Sequence, residues 1–333
     1  MTVFPTAIYL MALVSAALST GLTLPAWRRW SERRGLMDRP GHRKIHDTPI
    51  SLAGGLAVLT GILIPIVVGL VLLTLDFLPA DMAVPFSHGF LHRGWQLAAV
   101  LLGGIGMVFL GAVDDRHDLH PGIKLVGQLV IALAVASSGI RVTLFVEDPW
   151  FTYLATVLWV VTVTNAFNWM DNMNGLCPGL GIIGAWQFAL MAALQGQYLV
   201  VVLCLLVAGA LLGFLPYNFP RARAFLGDSG SHLVGYFMAV LAILPHYYSS
   251  RHPNEWAVLE PLLILVVPLG DLVWVIGLRL SLGKPIYIGD KNHLSHRLVR
   301  WGWTARSAVM LIWLMSASAG GLTFLGRFLQ SNR

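Results

Sequence analysis

Residues 197–216 read Gln-Tyr-Leu-Val-Val-Val-Leu-Cys-Leu-Leu-Val-Ala-Gly-Ala-Leu-Leu-Gly-Phe-Leu-Pro, an unbroken run without one charged side chain. Crossing a bilayer core as a helix takes roughly 20 apolar residues, whereas a helix on the surface of a soluble protein keeps one face polar. The run therefore reads as a transmembrane helix. Working outward, nine further runs of the same kind lie near residues 5–27, 51–75, 95–113, 123–141, 152–167, 176–195, 230–246, 257–279 and 306–326. Composition agrees: 56% of the residues are hydrophobic and 11% charged, with mean hydropathy +0.72, where a soluble domain carries about 25% charged residues. The expected fold is all-α, a polytopic membrane protein with about ten transmembrane helices forming one integral membrane domain over residues 1–333. No long soluble segment, low-complexity tract or internal repeat interrupts it.

Two smaller points follow. The first run, Pro5 to Trp27, is longer than a signal-peptide core, has no basic region before it and ends without a small-residue cleavage site, so it is expected to remain as a helix. Cys177 and Cys204 sit in apolar or near-membrane stretches, away from any cluster with metal-ligand spacing, and read as packing residues.

The net charge of +6 is unevenly spread. With ten spans, the loops at 28–50, 114–124, 168–175, 217–229 and 279–306 share one side and hold 17 of the 22 Lys and Arg, leaving Arg93, Arg141, Arg251, Arg327 and Arg333 for the other. Cytoplasmic loops are enriched in Lys and Arg, so that side is expected to be cytoplasmic, with both termini outside. Short basic loops between spans are a topology signal, and no nucleic-acid partner is expected. Asp114, Asp115, Asp118, Asp171, Asp228 and Asp290 fall on the same side or at its membrane border. Chemistry, if there is any, belongs there. A transporter would instead spread its charges through the spans.

Four constellations occupy those loops. Gly111-Ala-Val-Asp114-Asp115-Arg-His-Asp118 ends one span with adjacent acids, and Lys124 opens the next. Neighbouring carboxylates repel unless a cation compensates, although a solvated helix end would also carry them. Lys124, about one turn into the following span, is placed to hold a phosphate. In Asn165-Ala-Phe-Asn168-Trp-Met-Asp171-Asn172-Met-Asn174-Gly175, helical continuation puts Asn165, Asn168 and Asp171 on neighbouring positions of one face, an expensive arrangement in a membrane unless the groups serve a ligand or each other. Asn218-Phe-Pro220-Arg-Ala-Arg223-Ala-Phe225-Leu-Gly227-Asp228-Ser229-Gly230-Ser231 leads an acid and small residues into an apolar run, which suits phosphate or, equally, a simple Asp cap. Asp290-Lys-Asn-His293-Leu-Ser-His296-Arg297 could donate to a diphosphate, hold a metal through its His pair, or contact anionic lipid heads. Asp271 stands well inside a predicted span and is expected to be functional or paired, with Trp274 or a polar group of a neighbouring helix as candidate partner.

Taken in order, and together with Gly35-Leu-Met-Asp38-Arg39-Pro40-Gly-His-Arg43-Lys44-Ile-His46 and Gly54-Gly55, these segments resemble the polyprenyl-phosphate N-acetylhexosamine-1-phosphate transferases, glycosyltransferase family 4. The likeness runs over nearly the whole chain and is strongest to the bacterial undecaprenyl-phosphate GlcNAc-1-phosphate transferases. It implies transfer of GlcNAc-1-phosphate, or a related HexNAc-1-phosphate, from a UDP-HexNAc to undecaprenyl phosphate for cell-envelope glycan synthesis. It also implies a multi-pass protein of the inner (plasma) membrane, in contact with membrane lipids, working at the cytoplasmic face with Mg²⁺ or Mn²⁺; a homodimer is compatible with this. Phospho-MurNAc-pentapeptide transfer and an inactive polyprenyl-phosphate-binding relative are the alternatives.

Carried over by matching position, the resemblance makes Asp228 a metal ligand and Asn168 a neighbour of metal and diphosphate. Asp114, Asp115 and Asp171 become catalytic carboxylates, with Lys124 among them and Lys44 near the lipid phosphate. Phe225 would stack on uracil and Asn174 bond its edge, while His293, His296 and Arg297 would hold the diphosphate or sugar. Two departures are visible. Asp171-Asn172-Met173-Asn174-Gly175 stands where the bacterial pattern reads Asp-Gly-x-Asp-Gly, and His293-Leu-Ser295-His296 stands where it reads His-x-His-His.

Overall fold

Inside a bilayer the backbone has no hydrogen-bond partner but itself, so each apolar run is driven to close its own ladder as a helix. The computed structural model describes residues 6–38, 48–78, 80–146, 148–247 and 255–331. The helices are α1 Thr6–Arg34, α2 Gly54–Thr74, α3 Ala80–His117, α4 Pro121–Ser137, α5 Pro149–Met170, α6 Leu176–Leu194, α7 Tyr198–Asn218, α8 Gly227–Leu241, α9 Glu260–Ile264, α10 Val266–Ser281, α11 Leu294–Arg300 and α12 Ala305–Ser331. Strand β1, Met37–Asp38, pairs antiparallel with β2, Ile50–Ser51.

All ten expected runs fall on helices. Among the described residues, seven helical stretches are long and apolar enough to cross a membrane: α1, α2, Leu91–His117 of α3, α5, α6, α7 and Ala305–Arg327 of α12. The run at 257–279 is broken, because α9 and α10 meet at a bend of 72° and would make an eighth span only if taken together. Pro268 accounts for the break: it has no N–H to give the carbonyl of Ile264 one turn back. Helices α4, with 17 residues, and α8, with 15, are shorter than the others.

Helix α8 is the centre of the bundle, buried from Ser229 to Leu241 and packed by α2, α3, α5 and α6. Small residues allow that crowding, as they do between membrane helices generally. A side chain at Gly235 would overlap the backbone of Thr164 in α5, and one at Gly55 would overlap Ser229 and Gly230. A second tight seam joins α7 to α1, where Gly209 and Gly213, four residues apart, lie against the carbonyls of Leu13 and Ala17.

Being short, α8 fills only part of the bundle's height. Beyond its C-terminal end lies an apolar cavity of about 2050 Å³, bounded among others by Val14, Ile66, Val100, Trp159, Leu203 and Leu244. None of the predicted site residues among the described ones lines it. Their acids, with Lys124 and Asn168, gather at the opposite end, where α8 begins.

Candidate active site

The N-terminus of α8 is built by its neighbours. Gly54 and Gly55 at the start of α2 donate backbone N–H groups to the carbonyls of Phe225 (2.9 Å) and Leu226 (3.2 Å), while Phe225 N–H returns a bond to Ser51 (2.9 Å). From α3, Asp115 accepts the backbone N–H of Asp228 (2.7 Å) through one carboxylate oxygen and that of Ser229 (3.1 Å) through the other. A carboxylate at this place satisfies two of the N–H groups that a helix start leaves without partners and favourably meets its dipole. Gly227, at φ +68°, leaves the space into which that carboxylate fits; a Cβ there would overlap it. Asp115 therefore caps α8 from another helix, with both oxygens engaged.

Asp228 projects from this first turn. Its carboxylate accepts from the Asn168 side-chain amide (2.5 Å), which also bonds Ser231 (2.9 Å), and from Lys124 of α4 (3.2 Å). The ammonium of Lys124 also contacts Asp114. The other oxygen of Asp114 caps the turn after α3 by accepting the N–H of Leu119 (2.9 Å). Asp171, at the C-terminal cap of α5, completes the group. Burial, together with the charges of Asp228 and Asp115, pushes its carboxyl up to about 8. Ends of α3, α4, α5 and α8 thus bring four carboxylates together, two of them, Asp114 and Asp228, on one lysine.

Such a cup is short of positive charge. The ligand atoms it offers are carboxylate and amide oxygens, the set that a hard cation such as Mg²⁺ prefers. Among the described residues, no three His, Cys, Asp or Glu side chains stand close enough together to chelate a metal unaided. Mg²⁺ characteristically takes only one or two carboxylates and completes its shell with water and substrate phosphates, so the residues present fit it.

Around the cup, the loops between helices are tied to one another. Asn218 is buried, accepts the N–H of Gly175 (2.6 Å) and donates to Ala224 (3.0 Å), joining the α5–α6 loop to the loop that carries half-buried Phe225. Asn174 donates to Pro220 in that same loop (3.3 Å). The two departures from the bacterial pattern prove to be neighbours: Ser295 donates to Asn172 (2.6 Å), whose amide in turn donates to the carbonyl of Trp169 (2.7 Å). Asp271 is paired with His293 (2.6 Å), not with Trp274. That bond takes up one nitrogen of His293, whose ring centre lies 6.4 Å from that of His296. The His296 ring itself is pushed below the ordinary histidine range, by burial first and then by nearby His293, Lys291 and Arg300. Arg297 stacks over Trp274 (4.6 Å) and near Trp301 (5.4 Å) and touches none of the cup's carboxylates. Lys44 lies outside the described residues.

Of the three polar residues expected on one face of α5, Asn168 and Asp171 join the cup, but Asn165 turns to Gln128 of α4 (2.7 Å), which lies 3.4 Å from the His232 ring. Ser231, Gln128 and His232 were not among the predicted residues. The sequence did carry a signal for the last two, since each lies four positions after a cup residue, Lys124 or Asp228, on the same helix face.

Comparison with known proteins gives a consistent picture. The profile of glycosyl transferase family 4 matches residues 97–246, which include every cup residue. A Bacillus subtilis protein named "Probable undecaprenyl-phosphate N-acetylglucosaminyl 1-phosphate transferase" is 32% identical, over 92% of this chain and 81% of its own length. The decaprenyl-phosphate N-acetylglucosaminephosphotransferase of Mycobacterium tuberculosis is 33% identical over 92% of this chain and 79% of its own. The undecaprenyl-phosphate alpha-N-acetylglucosaminyl 1-phosphate transferase of Escherichia coli K12 is 29% identical over 95% and 83%.

Proposed function

The chain belongs to glycosyl transferase family 4, and from that membership we propose that it transfers GlcNAc-1-phosphate from UDP-GlcNAc to a polyprenyl phosphate such as undecaprenyl phosphate, releasing UMP. The observation that carries this reading is the convergence of Asp114, Asp115, Lys124, Asn168, Asp171 and Asp228 where four helix ends meet. A site for joining two phosphates must hold anions together, and a lysine inside a carboxylate cup that is short of positive charge is suited to that task.

An oxygen of the lipid phosphate attacks the sugar-bearing phosphorus of the donor. One P–O bond forms there as the bond to the bridging oxygen breaks, and UMP carries that oxygen away. A phosphate monoester has its second pKa near 6, so the nucleophile needs little help from a general base at neutral pH. Lys124 holds a phosphate oxygen and Asp114 holds Lys124. Asp228 and Asn168 would hold Mg²⁺, with Asp171 beside them. When bound, that ion would neutralise charge on the diphosphate as the leaving group departs. Asp115 keeps the first turn of α8, and with it Asp228, in place. Phe225 and Asn174, on loops joined by hydrogen bonds, would receive the uracil, and His293 and His296 the diphosphate or sugar side.

Ten crossings, counting α4, α8 and the bent pair as spans, put all of these loops on the side rich in Lys and Arg, which we take as cytoplasmic. The test is product formation. Protein in detergent, given undecaprenyl phosphate, Mg²⁺ and UDP-GlcNAc labelled in the sugar, is expected to move label into an organic-soluble lipid, and added UMP is expected to drive it back. No lipid-borne label from UDP-GlcNAc or any other UDP-HexNAc, in folded protein, would overturn the reading.

A further inference from the structure

Asp271 has no place in the mechanism above, yet it is one of the most buried acids of the chain, 5% exposed in the middle of α10. A carboxylate in such surroundings persists only when its hydrogen-bonding capacity is used. Here both oxygens are used, and on the same short segment. One accepts the backbone N–H of Leu294 (2.6 Å), at the first turn of α11, and the other meets Nδ1 of His293 (2.6 Å). Carboxylate oxygens accept hydrogen bonds, and this geometry places the ring hydrogen on Nδ1. Nε2 is left with no partner among the described residues.

Other contacts tie this ring to the end of α5 that carries Asn168 and Asp171. Asp271 and Arg279 lie on one buried face of α10, two turns apart. Arg279 stacks over Trp169 (4.5 Å), and Trp169 meets the His293 ring edge-on at 6.1 Å. Trp169 directly follows Asn168, and Ser295 binds Asn172, the residue after Asp171. The segment His293–Ser295 is thus held between a carboxylate buried in α10 and the end of α5 that supplies the cup.

We propose that Asp271 is a positioning residue of the transferase, fixing His293 with its hydrogen on Nδ1 so that Nε2 is the ring atom offered to the donor's diphosphate. Once Nε2 also carries a proton, the carboxylate offsets the charge of the ring, and Nε2–H can be given to a phosphate oxygen. The inference rests on the transferase reading for its function, and on geometry alone for the tautomer.

Two measurements test it separately. In wild-type protein labelled with ¹⁵N-histidine, the His293 signals, assigned by their loss in His293→Gln, are expected to show a proton on Nδ1. A neutral ring protonated on Nε2 alone overturns the proposal without recourse to any Asp271 variant or to activity. In turnover assays, Asp271→Asn, which keeps the shape but can offer Nδ1 a donor, is expected to lower kcat/KM for the UDP-sugar by about 10- to 100-fold. In a His293→Gln background the same change is expected to cost less than about 2-fold, because residues acting through one another are not additive. Undiminished activity in Asp271→Asn, or full additivity with His293→Gln, overturns the positioning role. If wild-type protein releases no UMP from any donor, the transferase reading and the proposed role fall together, and the ¹⁵N result still decides the tautomer.

Discussion

At the scale of single residues, the four carboxylates of the cup are chemically alike in sequence and different in the fold. Asp228 faces Lys124 and Asn168 with an edge still open to solvent, and its replacement by Asn is expected to lower turnover by about 10²- to 10³-fold, as loss of a charge-stabilising group does, with melting little changed. Asp115 gives both oxygens to the backbone of α8. Asp115→Ala strands two N–H groups and is expected to cost about 1–3 kcal/mol of stability, read as a lower melting temperature that added Mg²⁺ only partly restores. Asp171 supplies a pH signature. Its carboxyl is raised to about 8 in the fold, against about 3.9 when unfolded, so between those values the folded chain holds a proton that the unfolded chain has lost. With metal removed by chelation, stability from this group is full below about pH 4 and is lost as pH rises toward 8. Asp171→Asn is therefore expected to melt above wild type at pH 8.5 and close to it at pH 4, in parallel thermal scans. The identity of these acids could be read from the sequence, but their division into cap, cation partner and unpaired carboxyl could not. That division depends on which backbone N–H groups arrive from α8, more than a hundred positions away.

At the scale of elements, the apolar runs were legible because a bilayer demands them, and every one is helical. What periodicity concealed was length and continuity. The run at 230–246 yields a helix of 15 residues starting at Gly227, since the polar first turn is held by Asp115 and not by apolar burial. The run at 257–279 yields two helices, since one proline breaks the ladder. The Glu260–Arg327 ion pair, with contacts of 2.7–3.1 Å between α9 and α12, has no signature in the sequence because neither residue belongs to a motif. Close approach of backbones at the start of α8 makes its glycines the sensitive points. A methyl at Gly55 would overlap the backbone of Ser229 and Gly230, and one at Gly111 would overlap that of Asp228 and Ser229, main-chain atoms unable to swing aside. Gly55→Ala and Gly111→Ala are each expected to lower melting by several degrees and to abolish most turnover. Gly277→Ala, in α10 with open space around its Cβ, is expected to leave both unchanged.

At the scale of the whole molecule, function follows from where ten helical runs end. The loops after α3, α5, α7 and α10 carry little structure of their own, but helix ends and buried amides such as Asn218 draw them together at one end of the bundle. Sequence order and loop charge made that gathering legible in outline. Arg297 stacks over Trp274 and near Trp301, a cation–π placement that residue type alone does not reveal. The central claim, that this cup is the catalytic centre of a metal-dependent polyprenyl-phosphate sugar-1-phosphate transferase, is tested most directly by UMP release. Purified protein would be given undecaprenyl phosphate and UDP-GlcNAc, with Mg²⁺ or with chelator, beside folded Asp228→Asn. The account predicts UMP only when lipid, donor and divalent cation are all present, with release falling at least about 100-fold in the variant. Release that is indifferent to the cation, or that survives undiminished in Asp228→Asn, would contradict it.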